Sequence, residues 1–179
     1  MSDLTVARRY ARALADAVTE SKDQELVRSE LEEFAALFRA EKMLRAYLLD
    51  VRAKAELRER VVNAVSEKAK FSPWTRNVLA LVARHGRFEH LEEIVRLYGE
   101  ELDRRHGVVR ARVSASTPLS GEQTDRLAQA LSRVTGGRAE LEVRVDEDLL
   151  AGAVVRIGSR VYDASLRTQI ARLAERMTA

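Results

Sequence analysis

The chain has 179 residues, 46% of them apolar and 33% charged, with 31 Lys and Arg against 28 Asp and Glu. That length and apolar content suit one large domain or two small ones. The absence of cysteine excludes disulfides, thiolate metal sites and a cysteine nucleophile. Residues 1–106 carry 20 basic and 19 acidic side chains, and residues 107–179 carry 11 and 9, so neither part is the polycation that a nucleic-acid partner calls for. Lysine occurs only before residue 71, a pattern read as genome composition. The opening "MSDLTVARRYARAL" has no long apolar core and includes Asp3, which argues against a targeting peptide. No apolar run approaches the ~20 residues of a membrane span, so direct membrane insertion is not expected.

Six helices are predicted before residue 107. The first carries Leu4, Ala7, Ala11, Leu14 and Val18 at steps of three and four. The second opens with Ser21 and Gln24 as a capping box and continues with Val27, Leu31, Phe34 and Phe38. A short third helix bears Met43, Leu44, Tyr47 and Leu48, and a fourth bears Leu57, Val61 and Val65. Ser72 and Pro73 start the fifth, whose inward face is read as Trp74, Val78, Leu81 and His85, and Gly86 stops it. Leu91, Val95, Tyr98 and Leu102 mark the sixth.

After Gly107 the period changes from 3.6 to 2. Val109, Ala111, Val113 and Ala115 form one face of a strand. Ser120 and Gln123 cap a helix with Leu127, Leu131 and Val134 inward, ended by Gly136-Gly137. Ala139, Leu141, Val143 and Val145 form the next strand face. "AVVRI" and "RVYD" read as a hairpin across Gly158-Ser159 with a type II′ turn, and Asp163 or Ser165 caps a last helix with Leu166, Ile170, Leu173 and Met177 in its stripe. The expected fold class is α+β: a six-helix bundle over 1–106, then a small α/β domain with a β-hairpin over 107–179.

Catalytic signals are weak. Gly152 and Gly158 match no phosphate-binding loop and sit before and inside a hairpin. His85 and His90 are five apart with Gly86 between them, the wrong spacing for a helical metal site. "DED" at 146–148 reads as a solvated loop, with a small hydrolase as the competing possibility. No cofactor and no catalytic residue are expected. The first helix does carry a second stripe of Val6, Tyr10, Ala13 and Ala17, and the fifth has Leu79, Val82 and Ala83 off its assigned inward face. A helix apolar on two sides is central in its bundle or has an external partner. An RNA-associated adaptor is the alternative binding function, although only 9 aromatics occur and 8 precede residue 107.

Three segments carry a family resemblance: "VARRYARALADAV", "NVLALVARHGRFEHLEEIV" and, most specific, "LEVRVDEDLLAGAVVRIGSRVYDASLRTQIARL". Together the chain resembles the delta subunit of bacterial F-type ATP synthase, a relative of the mitochondrial oligomycin-sensitivity-conferring protein. Ala151 stands where Gly is common in that family, and Ala164 likewise. The resemblance implies a non-catalytic stator subunit, one copy per complex, on the cytoplasmic face of the plasma membrane. It further implies an N-terminal domain that holds alpha-subunit N-terminal helices between its first and fifth helices. The C-terminal domain would join the b subunits of the peripheral stalk. On that basis Val6, Tyr10, Ala13, Ala17, Leu79, Val82 and Ala83 are the expected groove residues.

Overall fold

In the computed structural model, residues 3–146, 148–149, 151–158, 160–163 and 168 are described. The chain divides into two compact units that part between Leu102 and Asp103. The last turn of the sixth helix bonds to the first strand, Arg110 Nε donating to Asp103 Oδ2 at 2.8 Å.

The first unit contains α1 (Asp3–Ala17), α2 (Ser21–Ala40), α3 (Lys42–Leu49), α4 (Ala55–Lys68), α5 (Pro73–Arg84), a 3-10 turn (Phe88–His90) and α6 (Leu91–Arg105). All six predicted helices are present. Their shared core draws on each of them, with Phe34 against Phe71 and Phe88 at ring separations of 6.5 and 6.1 Å. The α2 and α6 stripes are buried as expected.

Elsewhere the helical phase differs. On α4 the buried positions are Arg58, Val62 and Ser66, one residue from the expected Leu57, Val61 and Val65, and Leu57 is exposed. Two polar residues in the buried row hid it from an apolar count. Leu4 and Met43 are likewise exposed, near the starts of α1 and α3. The capping box expected at the start of α2 does not form. Glu20 occupies the N-cap position without a side-chain bond, while Gln24 is buried and its Nε2 donates to Val18 O at 2.6 Å.

The second unit contains β1 (Val108–Ala115), α7 (Gly121–Thr135), β2 (Arg138–Val145), β3 (Ala153–Ile157) and β4 (Arg160–Asp163). The sheet order is β2-β1-β3-β4. β1 and β2 are parallel, which requires a crossover, and α7 supplies it. β3 runs antiparallel to β1 and β4 antiparallel to β3, completing a mixed sheet with the expected hairpin. The registers Ala111↔Leu141, Val113↔Val143 and Val113↔Val155 put the alternating apolar residues on one face, where Leu127 and Leu131 of α7 pack. Val134 was expected inward but is 72% exposed, because α7 turns Leu127, Leu131 and Thr135 toward the sheet side and Val134 falls off that row.

The Ser120–Gln123 capping box forms in full. Gly136 closes α7 in the left-handed region at φ 75°, and its neighbour Gly137 serves a different need. A Cβ on Gly137 would lie 2.6 Å from Gly107 O and 2.9 Å from Val109 Cγ2, so only glycine lets the chain pass there into β2. Gly158 has φ 55°, as a primed hairpin turn demands, while its turn partner Ser159 lies outside the described residues. The last helix expected over 165–177 also lies outside them, apart from Thr168, whose hydroxyl donates to Asp163 Oδ2 at 2.8 Å.

Candidate partner-binding groove

The candidate groove residues lie on α1 and α5, which meet where Tyr10 approaches His85. α5 is fixed at both ends. Ser72 is its N-cap, its Oγ accepting from Thr75 N at 3.4 Å, with Pro73 in the first turn. The Ser72 N–H and hydroxyl both donate to the Glu30 carboxylate of α2, at 2.8 and 2.6 Å. Glu30 is buried, and these two bonds satisfy its charge beside a helix N-terminus that itself favours anions. At the other end Gly86, at φ 63°, closes a double reverse bond: Gly86 N to Ala83 O and Arg87 N to Val82 O. Arg84 grips Glu59 of α4 with both nitrogens, at 3.1 and 2.8 Å, and those bonds hold the Glu59 carboxyl below its ordinary range.

This frame decides which side of α5 faces the core. Thr75, Val78, Leu79, Val82 and Ala83 are buried, whereas Trp74 is 41% and Leu81 43% exposed and His85 is exposed. The sequence expectation is corrected here. Leu79, Val82 and Ala83 are core, and the large apolar residues assigned inward are the ones turned out. The reason is local: the buried row includes the polar Thr75 and the small Ala83, so bulk alone pointed to the wrong side.

α1 keeps more of its second stripe accessible. Val6 is buried at 5% exposure and forms part of the core, Tyr10 is half-buried, and Ala13 and Ala17 are exposed. Tyr10 makes a contact between the two helices: its Oη lies 3.3 Å from His85 Nδ1, which also lies 2.9 Å from Leu81 O. Ala13 and Ala17 lie three and seven residues beyond Tyr10, on the same side of α1, while on α5 Leu81 lies one turn before His85 and Trp74 about three turns before it. Arg8, Arg9 and Arg12 are exposed along the rest of α1. The arrangement offers an apolar floor, alanines that allow close backbone approach, two large apolar anchors and a basic flank.

The other singled-out residues fall elsewhere. His85 caps the end of α5, while His90 is buried in the 3-10 turn, 3.3 Å from Glu89. Asp146 and Asp148 share a turn, with Asp148 N donating to Asp146 Oδ1 at 3.1 Å, and Glu147 lies outside the described residues. Gly152 precedes β3, its carbonyl accepting from Ser116 N at 3.2 Å. Sequence reasoning missed Trp74 and Leu81 as surface. The legible signal was that α5 has apolar residues around most of its girth, which leaves some of them outside.

Residues 6–177 match the ATP synthase delta (OSCP) subunit family. The chain belongs to that family. Among similar proteins is the "ATP synthase subunit delta" of Desulfatibacillum aliphaticivorans, 39% identical over 98% of this chain and 96% of the relative. That of Geobacter sp. (strain M21) is 35% identical over 98% and 97%. A chain in the cryo-EM structure of the Toxoplasma gondii mitochondrial ATP synthase hexamer shares the fold, with a TM-score of 0.68 at 20% identity over 97% of both chains. Among the described residues of this family member, no helix is long and apolar enough to cross a membrane.

Proposed function

We propose that this chain is the non-catalytic stator subunit of an F-type ATP synthase, peripheral on the cytoplasmic face of the plasma membrane and present once per complex. Its first unit holds N-terminal helices of the alpha subunits of the catalytic head. Its second unit joins the b subunits of the peripheral stalk. Held at both ends, the head cannot turn with the rotor, so proton-driven rotation is coupled to ATP synthesis. Two attachments on one chain also reinforce each other through effective concentration.

The observation that carries this reading is the full-length family match together with an apolar, partly exposed seam between α1 and α5. The seam is refined from the sequence expectation: Tyr10, Ala13 and Ala17 remain on the α1 side, Val6 lies beneath, and Trp74 and Leu81 replace Leu79, Val82 and Ala83 on the α5 side. An amphipathic helix laid there buries apolar area worth about 25 cal/mol per Å². Arg8, Arg9 and Arg12 sit where rim charges govern encounter rate.

The reading is tested by add-back. Membranes stripped of this subunit are expected to hydrolyse ATP without pumping protons and to regain proton-driven ATP synthesis when the purified chain returns. Full coupling in membranes that lack the chain contradicts it.

A further inference from the structure

The two faces of the mixed sheet differ in kind. The face away from α7 carries Arg110, Arg112, Arg138, Arg144 and Arg156 against Glu140, Glu142 and Asp163. It is open to solvent: the side chains of Arg112, Arg138 and Arg144 are 74–75% exposed. Most of its charges are paired along and across strands. Arg138 meets Glu140 at 2.6 Å, Arg144 meets Glu142 at 2.5 Å, and Arg110 meets Glu140 at 3.2 Å.

Among the described residues the pairing is weakest at the centre. Arg112 of β1 and Arg156 of β3 stand directly opposite in the antiparallel register. Like charges in that relation destabilise a sheet. Arg112 reaches Glu142 only at 3.7 Å, and that carboxylate is already engaged by Arg144. Arg156 has no ion pair among the described residues. The exposed Val161 flanks Arg156 across β4.

The geometry points to this face as the docking surface for an acidic helical segment of the stalk partner, with two carboxylates one turn apart meeting Arg112 and Arg156. Directly opposed strand residues lie about 5 Å apart, which matches the 5–6 Å between side chains at i and i+4 on a helix. Planar guanidiniums receive carboxylates with paired bonds. In sequence, residues 164–179 carry Arg167, Arg172 and Arg176 against Glu175, a net charge of the same sign as the face. A nucleic-acid backbone fits poorly as well, since Glu140, Glu142 and Asp163 interrupt the basic track and the unit's one tyrosine, Tyr162, lies on the opposite face.

The inference rests on the reading that the second unit contacts the b subunits. Its test titrates the full chain with the soluble part of the b subunits of the same synthase. The variant Arg112→Glu/Arg156→Glu is expected to weaken binding about 30-fold and to flatten its salt dependence. Arg112→Lys/Arg156→Lys should retain most of the affinity, and Arg126→Glu on α7 should change it less than about 2-fold. Circular dichroism and binding of an alpha-subunit N-terminal peptide check that each variant is folded. If the wild type binds and the double reversal binds equally, the docking face is refuted and the stalk reading stands. If the wild type does not bind, both fall. If a 20-nucleotide RNA binds the wild type and loses affinity in the double reversal while b-subunit binding is unchanged, the face serves nucleic acid and the proposal is overturned.

Discussion

The two units are stabilised on different scales. In the first, a continuous core from Ala7 to Leu102 recruits every helix and is anchored by the buried Glu30–Ser72 contact. Among the described residues of the second, the buried cluster comprises Ala111, Val113 and Val155, and no residue of α7 is fully buried. The first unit can therefore leave Trp74 and Leu81 outside without endangering its fold. The described part of the second combines a small apolar cluster with the close backbone approach at Gly137. One unit is deep-cored and the other has a mostly polar sheet face, so each suits a different kind of contact.

The largest expected effects come from striking each unit where it is most constrained. Val82→Asp places a carboxylate at a position with 1% exposure and should destabilise the first unit by about 4 kcal/mol, seen as a collapsed denaturant midpoint. It therefore reports on folding and not on docking. Gly137→Ala should destabilise the second unit by about 2–3 kcal/mol, because the new methyl has only the Gly107 carbonyl and Val109 to displace. Amide exchange should then quicken in β1 and β2 while α2 and α6 stay protected. Equal loss of protection in both units would erase the contrast.

A smaller and opposite effect is expected at Lys70, which ends α4 at φ 58° with Lys70 N bonded to Glu67 O and Phe71 N to Ser66 O. A lysine in the left-handed region is strained, so Lys70→Gly should stabilise the first unit by about 1 kcal/mol in denaturant melts. The smallest effect is the pH response. Bonds from Arg96 hold Glu93 below its ordinary range, as bonds from Arg84 do for Glu59 and those from Arg52 for Asp50. Carboxyls depressed in the fold contribute stability that is present above their unfolded values and lost as pH falls through the lower folded ones. The melting temperature of the first unit should therefore drop below about pH 4.5, with a shallower slope in Glu93→Gln.

Much of this fold was legible because local rules and global packing agreed. Ser72-Pro73, the Ser120–Gln123 box and the period-2 runs of β1 and β2 each specify their element with few residues. What misled were buried polar groups. Arg58 and Ser66 shifted the apparent face of α4, Gln24 imitated a cap, and Thr75 masked the core face of α5. On α1, Ala13 and Ala17 lie outside and Val6 within. On α5 the buried and exposed faces are the reverse of the sequence reading, since composition shows that a helix is apolar on two sides and only packing decides which side is covered. The strand order and the Arg112–Arg156 opposition follow from pairing between distant segments, which no local pattern encodes.

The central claim is that the α1–α5 seam receives a helix, and the exposed Trp74 of α5 is an intrinsic probe. The most direct measurement is a fluorescence titration of the full chain with a synthetic alpha-subunit N-terminal peptide, in parallel with Leu81→Asp and Ala13→Asp. The account predicts saturable binding with a blue shift of Trp74 emission, weakened about 10-fold or more in both variants while their melting temperatures stay within a few degrees of wild type. No binding at tens of micromolar, or equal affinity in folded Leu81→Asp, would contradict it.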